Sequence, residues 1–327
     1  MPDVSGLPEP PGAHHVVLYD SDAQFLAAAL PFARAGLAAR EPVFIATGPG
    51  NASLLRRHLG QDAGQVDFAD ARTWYHSPAK TLLAYHDKAC AAPGGSRVVG
   101  EAVWSGRNED QAREWTRYEA LLNLALLATG AKHLCPYDTR VLPEMVLRAA
   151  RLTHPGLAAG ADYWSNPAYV DPEQFSAACD TAPLPARPRR AQARAFHGNE
   201  DLAGLRDFTN RRARAAGLPP TRIDNLLICV DEAAANTVRH GAGHGTCWIW
   251  TTRTEVLCEI SDPKGTLNAA IVGYLPPSVS QLNGRGMWII RQLCDSVDIR
   301  TDHRGSRVRL HLDRDPDVTP PGTAPPA

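Results

Sequence analysis

Glu232 and Asn236 stand four residues apart in "DEAAANTVRHG" (231–241), a spacing that puts both on one side of a helix, a turn apart. A carboxylate so placed can take a proton from an attacking hydroxyl or water. A nearby amide oxygen can complete the octahedral oxygen shell of Mg²⁺ bridging phosphates. The pair alone suits a solvated helix face equally well. Downstream, Asp262 closes the strand of "EISDPKG", where a carboxylate can accept from the exocyclic amine of an adenine or simply start a turn. Further on, "NGRGMWIIRQLCD" sets Gly284, Arg285 and Gly286 ahead of a helix. Free N–H groups and the positive end of the helix dipole favour a phosphate there, glycine allows close approach, and a plain glycine turn is the alternative.

These residues need elements to hold them. At about 100° per residue, Ile223, Leu226, Leu227, Val230, Ala234 and Val238 form one stripe, with Glu232 and Asn236 roughly opposite. Around this helix the order is a strand "ARAFHGN", a helix "DLAGLRDFTNRRARAAG", two strands "GTCWIWTTR" and "EVLCEISDP", an irregular stretch, a helix "GMWIIRQLCDSV" and a hairpin "DIRTDHRGSRVRLHL". That order predicts an α+β two-layer sandwich, with helices on one face of a mixed sheet. The polar, Pro/Gly-containing stretch 266–283 suits a mobile lid or an ordinary surface loop.

Upstream the pattern is different. Short apolar strands such as "HHVVLYD", "EPVFIAT", "SRVVGEAVW" and "AKHLCPYD" alternate with helices from the first to one near 142–152. This predicts an α/β fold, a mostly parallel sheet with helices on both faces, whose ligands sit at the strand carboxyl ends. Glu101, Trp104, Tyr137 and Asp138 lie there, with Cys135 on a strand. An aromatic pair beside two carboxylates can hold a small polar or cationic ligand, or pack as a capped pair. The stretch "TGPGNAS" (47–53) lacks the lysine of a phosphate loop, so a second nucleotide site is not expected. His14 and His15 are read as structural, and no spacing joins histidines to cysteines, so no zinc is expected.

The 327 residues suit two domains, and 34 basic against 35 acidic residues give no electrostatic reason for a nucleic-acid or membrane partner. The N-terminus lacks signal-peptide features, and stretches such as "LLNLALLATGA" are too short for a bilayer, so a cytoplasmic protein is expected. Seven cysteines with no C-x-x-C pair are expected to be reduced. Three Pro-rich segments, 1–13, 181–194 and 314–327, resist packing; the middle one reads as a linker between domains at 14–180 and 195–313.

The ordered combination of E-x-x-x-N-x-x-x-H (Glu232, Asn236, His240), a strand ending in Asp262, an irregular lid and G-x-G opening a helix resembles the ATP-binding (Bergerat, GHKL) fold of gyrase, heat-shock chaperones, histidine kinases and MutL. With its compact domain, short lid and final "GSRVRLHL", it is most similar to the anti-sigma-factor serine kinases of partner-switching systems. The resemblance implies ATP and Mg²⁺ as cofactors, Glu232 as general base, Asn236 as Mg²⁺ ligand, Asp262 as adenine reader, and His240 within the nucleotide site. It also implies Gly284, Arg285 and Gly286 on phosphates and Ser306 beside the adenine. Gly265 in "DPKGT" is one position out of step with the family's D-x-G-x-G, a departure that bears on nucleotide affinity more than on fold. A histidine kinase is not expected, because a proline-rich segment and a strand carrying His197 precede the domain instead of a helical hairpin with an acceptor histidine. The implied partners are a STAS-type anti-sigma antagonist and a sigma factor, with a homodimer implied too. A non-catalytic partner-binding module with a degenerate nucleotide site is the alternative. Upstream, "HHVVLYDSD", "GLAAREPVFIATGPG", "VVGEAVWS", "YEALLN", "LCPYDTR" and "THP" resemble the MEDS (DcmR-like) sensory domain, which is similar to a RecA-like core without its phosphate loop. This implies a small-molecule signal.

Overall fold

The computed structural model describes residues 13–127, 129–265, 267, 271–277 and 285–314. They form two units, divided between Cys179 and Asp180. The chain-order elements of the first are β1 (His14–Tyr19), α1 (Asp22–Ala38), β2 (Val43–Thr47), α2 (Pro49–Leu59), β3 (Val66–Asp70), α3 (Ala71–Trp74), α4 (Pro78–Cys90), β4 (Ser96–Gly100), α5 (Glu109–Leu126), β5 (Ala131–Asp138), α6 (Glu144–Thr153), β6 (Gly156–Ala159), β7 (Asp162–Ser165) and α7 (Pro172–Cys179). Those of the second are β8 (Gln192–His197), α8 (Leu202–Ala215), α9 (Pro220–His240), β9 (His244–Thr251), β10 (Glu255–Asp262), α10 (Gly286–Leu293), β11 (Ser296–Asp302) and β12 (Gly305–Asp313).

In the first unit the strand order is β3-β2-β4-β5-β1-β6-β7, parallel throughout except for the antiparallel β6-β7 pair. Strands β2 and β4 are buried end to end, as expected of parallel strands covered on both faces. Side chains alternate between the faces. Val17, Tyr19, Ile45, Val99 and Leu134 pack in one core with Phe25, Ala28, Ala29 and Phe32 of α1 and Leu55 of α2. On the other face His133 meets Tyr85 of α4, and His14 meets Asn123 of α5. Capping sets where the long helices begin: Ser21 caps α1, and Asn108 and Gln111 form a capping box at α5. The strands β6 and β7 and the helix α7 were not read from the sequence, because their four-residue strands carry too little periodicity to register.

The second unit is a sheet of order β11-β12-β10-β9-β8. Every pair is antiparallel, which corrects the expectation of a mixed sheet. Its inner residues, among them Val256, Cys258, Ile260, Val308, Leu310 and Leu312, share one core with Leu205 of α8, Leu226 and Val230 of α9 and Ile290 of α10.

The stretch 181–194 is not the unpacked linker its composition suggests. Arg309 pairs with the fully buried Glu259 at 2.6 Å and also donates to Pro185 O, while Arg187 reaches the same Glu259 at 2.9 Å. Arg300 donates to Ala182 O and Asp180, Arg190 donates to Thr251 O, and Leu184 is buried. Arginines on both the strap and the sheet, matched to buried acid and to strap carbonyls, hold this segment on the outer face of the second sheet, offsetting the entropy that composition alone would leave unopposed. Among the described residues no disulfide joins the cysteines, and all but Cys90 are buried. No helix among the described residues is long and apolar enough to cross a membrane.

Candidate functional site

Helix α9 buries Leu226, Val230 and Ala234 completely and leaves Glu232 and Asn236 half-buried on its other side. That side is one wall of a cleft of about 580 Å³, within the size range of small-molecule sites. Glu232, Asn236 and His240 line it from α9, Ile260 and Asp262 from β10, Ser306 and Val308 from β12, and Arg285, Gly286 and Met287 from the start of α10. Residues far apart in the chain thus meet because α9 and α10 pack side by side over the β10-β12 pair.

The glycine at the head of α10 suits this packing. A Cβ on Gly286 would stand 2.6 Å from Glu232 Oε2 and 3.3 Å from Asn236 Nδ2, so glycine lets the helix N-terminus meet the carboxylate and amide without displacing either side chain. The first backbone N–H groups of α10 have no carbonyl within the helix to donate to. Carboxylate, amide and free donors therefore converge at one end of the cleft.

At the other end, Asp262 Oδ1 accepts from the N–H groups of Ala242 and Lys264 at 3.1 and 2.8 Å. This fixes the carboxylate while Oδ2 takes no hydrogen bond among the described residues. Gly241 makes room for it, since a Cβ there would overlap Oδ2. Ser306, buried at the start of β12, accepts from Leu267 N–H at 3.3 Å and lies 3.0 Å from the Thr301 hydroxyl. The apolar side chains of Ile260, Leu267, Val272, Met287 and Val308 fill the space between. A partly apolar cleft with one oriented carboxylate suits a purine ring, so the residues present fit a nucleotide.

One glycine departs from expectation. Gly265 does not line the cleft: it packs on the terminal hairpin, where a Cβ would meet Asp302 O at 2.9 Å. Gly284 lies outside the described residues, as does most of 266–283. Conversely Thr237, Arg239, Gly241 and Met287 line the cleft without having been singled out; Gly241 is legible in the sequence only as a helix stop. His197 is exposed and stacks on His244 with ring centroids 5.6 Å apart.

In the first unit, Glu101 accepts from the Tyr19 hydroxyl at 2.5 Å, from Asn51 and from the Thr47 hydroxyl. Burial, with the Glu101 charge behind it, pushes the Tyr19 phenol far up. Asp138 is held by Arg140 at 2.7–2.8 Å, whose hydrogen bonds keep its carboxyl below the usual range. Trp104 and Tyr137 are buried with centroids 6.1 Å apart. Both carboxylates are thus engaged by protein groups.

No spacing in the sequence joins histidines to cysteines, yet the fold brings such residues together. His14, Glu119, Cys135 and His154 bring four potential ligand atoms within 4.8 Å of one another. The sequence hid them because β1, α5, β5 and the end of α6 are joined only by the crossovers of the parallel sheet.

Residues 13–155 match the family described as the methanogen/methylotroph, DcmR sensory domain (MEDS), and residues 198–312 match the histidine kinase-like ATPase domain. The chain is a MEDS domain followed by a GHKL-type ATPase domain, the pairing of a regulatory ATPase or kinase. An ATPase domain of this type implies nucleotide binding. Among solved structures, the flagellar accessory protein FlaH from Methanocaldococcus jannaschii is similar over 48% of this chain and 77% of its own, at 14% identity and a TM-score of 0.32. No curated protein sequence matches the chain.

Proposed function

We propose that the second unit binds ATP·Mg²⁺ and transfers its γ-phosphoryl group to a serine or threonine of a STAS-type anti-sigma antagonist, under control of a small-molecule signal at the MEDS domain. Phosphorylation would release the antagonist and leave the chain free to hold a sigma factor. The observation that carries this reading is the close approach of the α10 N-terminus, at Gly286, to Glu232 and Asn236.

When bound, the magnesium nucleotide supplies a transferable phosphoryl group whose charge is partly neutralised. Asn236 Oδ1 would hold the ion, and Asp262 Oδ2 would accept from the adenine amine. The free N–H groups of α10, with Arg285 at the rim, offset the phosphate charge. Glu232 takes the proton of the incoming hydroxyl as its oxygen bonds to phosphorus and the bond to the leaving diphosphate breaks. A hydroxyl acceptor from a second protein is favoured because Glu232 stands on the wall of an open cleft, where an incoming hydroxyl can reach it.

The position of Gly265 outside the cleft favours one other reading, a module that grips partners without catalysis. Labelled ATP, Mg²⁺ and an antagonist of STAS type separate the two. The kinase reading expects transfer by the wild-type chain, its loss in Glu232→Ala with ATP binding retained, and loss of both in Asn236→Ala. Absence of ATP binding together with absence of transfer selects the module.

A further inference from the structure

The four donors of the first unit sit on one face of the parallel sheet. Val16 of β1 lies opposite Cys135 of β5, so His14 and Cys135 are diagonal neighbours on that face. Glu119 of α5 and His154, just after α6, approach them from the covering helices. Relative exposures are 1% for His14, 3% for Glu119, 3% for Cys135 and 0% for His154.

Hydrogen bonds outside the cluster decide which atoms face inward. Asn123 Nδ2 donates to the carbonyls of Ala120 and Thr153 at 2.9 and 2.8 Å, so its Oδ1 is the atom 3.0 Å from His14 Nδ1, and that nitrogen carries the hydrogen. The His154 Nδ1 lies 2.8 Å from Ala150 O, which can only accept, so it too is an N–H. Both imidazoles therefore turn the lone pair of Nε2 into the cluster. His14 Nε2 lies 3.2 Å from Cys135 Sγ and 3.6 Å from Glu119 Oε2, and His154 Nε2 lies 3.6 Å from the same oxygen. Glu119 Oε2 and His154 Nε2 have no hydrogen-bond partner among the described residues. Lone pairs facing a buried carboxylate oxygen repel unless a cation lies between them.

We propose that His14 Nε2, Glu119 Oε2, Cys135 Sγ and His154 Nε2 form a closed, four-coordinate site for one divalent transition-metal ion of the zinc type. Metal–nitrogen and metal–oxygen bonds of about 2.0–2.1 Å and a metal–sulfur bond of about 2.3 Å set tetrahedral donor separations of about 3.3–3.6 Å, close to the 3.2, 3.6 and 3.6 Å of the cluster, and all four donors lie within 4.8 Å of one another. A dication with one thiolate and one carboxylate makes the buried site electrically neutral. The Asn123 and Ala150 bonds are the outer contacts that orient ligating imidazoles. Loading displaces the Cys135 thiol proton to water, and no electron is transferred. With four protein ligands and no solvent opening, the site is of the structural or metal-responsive kind. The ring of Tyr137 lies 5.8 Å from that of His154, so the aromatic pair Trp104–Tyr137 leads directly to it.

The test uses the full chain, stripped with a chelator and dialysed, then titrated with zinc(II) or cobalt(II). One zinc per chain is expected, with cobalt giving a thiolate charge-transfer band and the intense visible bands of tetrahedral coordination. Cys135→Ser should abolish the charge-transfer band, and Cys90→Ser, at the exposed thiol, should leave it unchanged. X-ray absorption of the zinc-loaded wild-type chain needs no variant and should show one sulfur with three nitrogen or oxygen neighbours. Absence of stoichiometric uptake, a band that survives Cys135→Ser or is lost in Cys90→Ser, or a shell with no sulfur or more than one would each overturn the proposal.

Discussion

The two units hold their polar chemistry in opposite ways. In the first, His14, Glu119, Cys135 and His154 are sealed between sheet and helices, with both imidazoles oriented by bonds to Asn123 and to Ala150 O. In the second, Glu232 and Asn236 stand half-buried at the wall of a cleft against Gly286, and Asp262 at its other end is held by two backbone N–H groups. A sealed polar group is tied to stability, since losing one partner strands another in a dry interior. A group on a cleft wall can be removed at little structural cost, because water replaces it. The comparison teaches which substitutions should separate folding from function.

The largest effect expected is on transfer. Glu232→Ala should lower phosphoryl transfer by about 10²–10⁴-fold while moving stability by under about 0.5 kcal/mol, read from parallel kinetic and thermal assays. A comparable fall in stability would break the contrast. Asn123→Ala should do the reverse. It strands His14 Nδ1 and the Ala120 and Thr153 carbonyls, so the first unit should lose about 2–4 kcal/mol in denaturant unfolding with the ATP affinity of the cleft unchanged.

Gly286→Ala sharpens the cleft side. Alanine favours a helix over glycine, so stability should hold, but the added methyl must displace Glu232, and ATP affinity should fall about tenfold in a binding titration.

The smallest effect lies in a half-buried group of the second unit. His311 sits 3.1 Å from Asp298 and 3.5 Å from Glu255. Burial by itself would lower the imidazole, but bonds and charge from these two carboxylates push it from 6.5 up to about 9. A folded value above the unfolded one means the stabilisation is complete below pH 6.5 and is lost as pH rises through about 9. The thermal midpoint of the wild-type chain should fall over that window, and His311→Gln should flatten the fall.

Much of the cleft was legible in the sequence because its chemistry is local. The apolar stripe of α9 alone says which side Glu232 and Asn236 occupy, and strand β10 ends where its pattern ends, at Asp262. Gly265 was harder to place: a glycine three residues beyond Asp262 can turn toward a ligand or toward a neighbouring hairpin, and contact with Asp302 decides it. The strap at 180–190 escaped for a related reason, since proline content says nothing about a buried glutamate waiting on another strand.

Periodicity and the order of elements were enough to indicate the two units, the alternation of the first and the faces of α9, because those depend on residues close together in the chain. Only the tertiary structure could bring residues 14, 119, 135 and 154 to one point, put α10 against α9, and turn the arginine-rich segment onto the sheet. Those contacts depend on which strands lie side by side, and the chain between them carries no record of that distance.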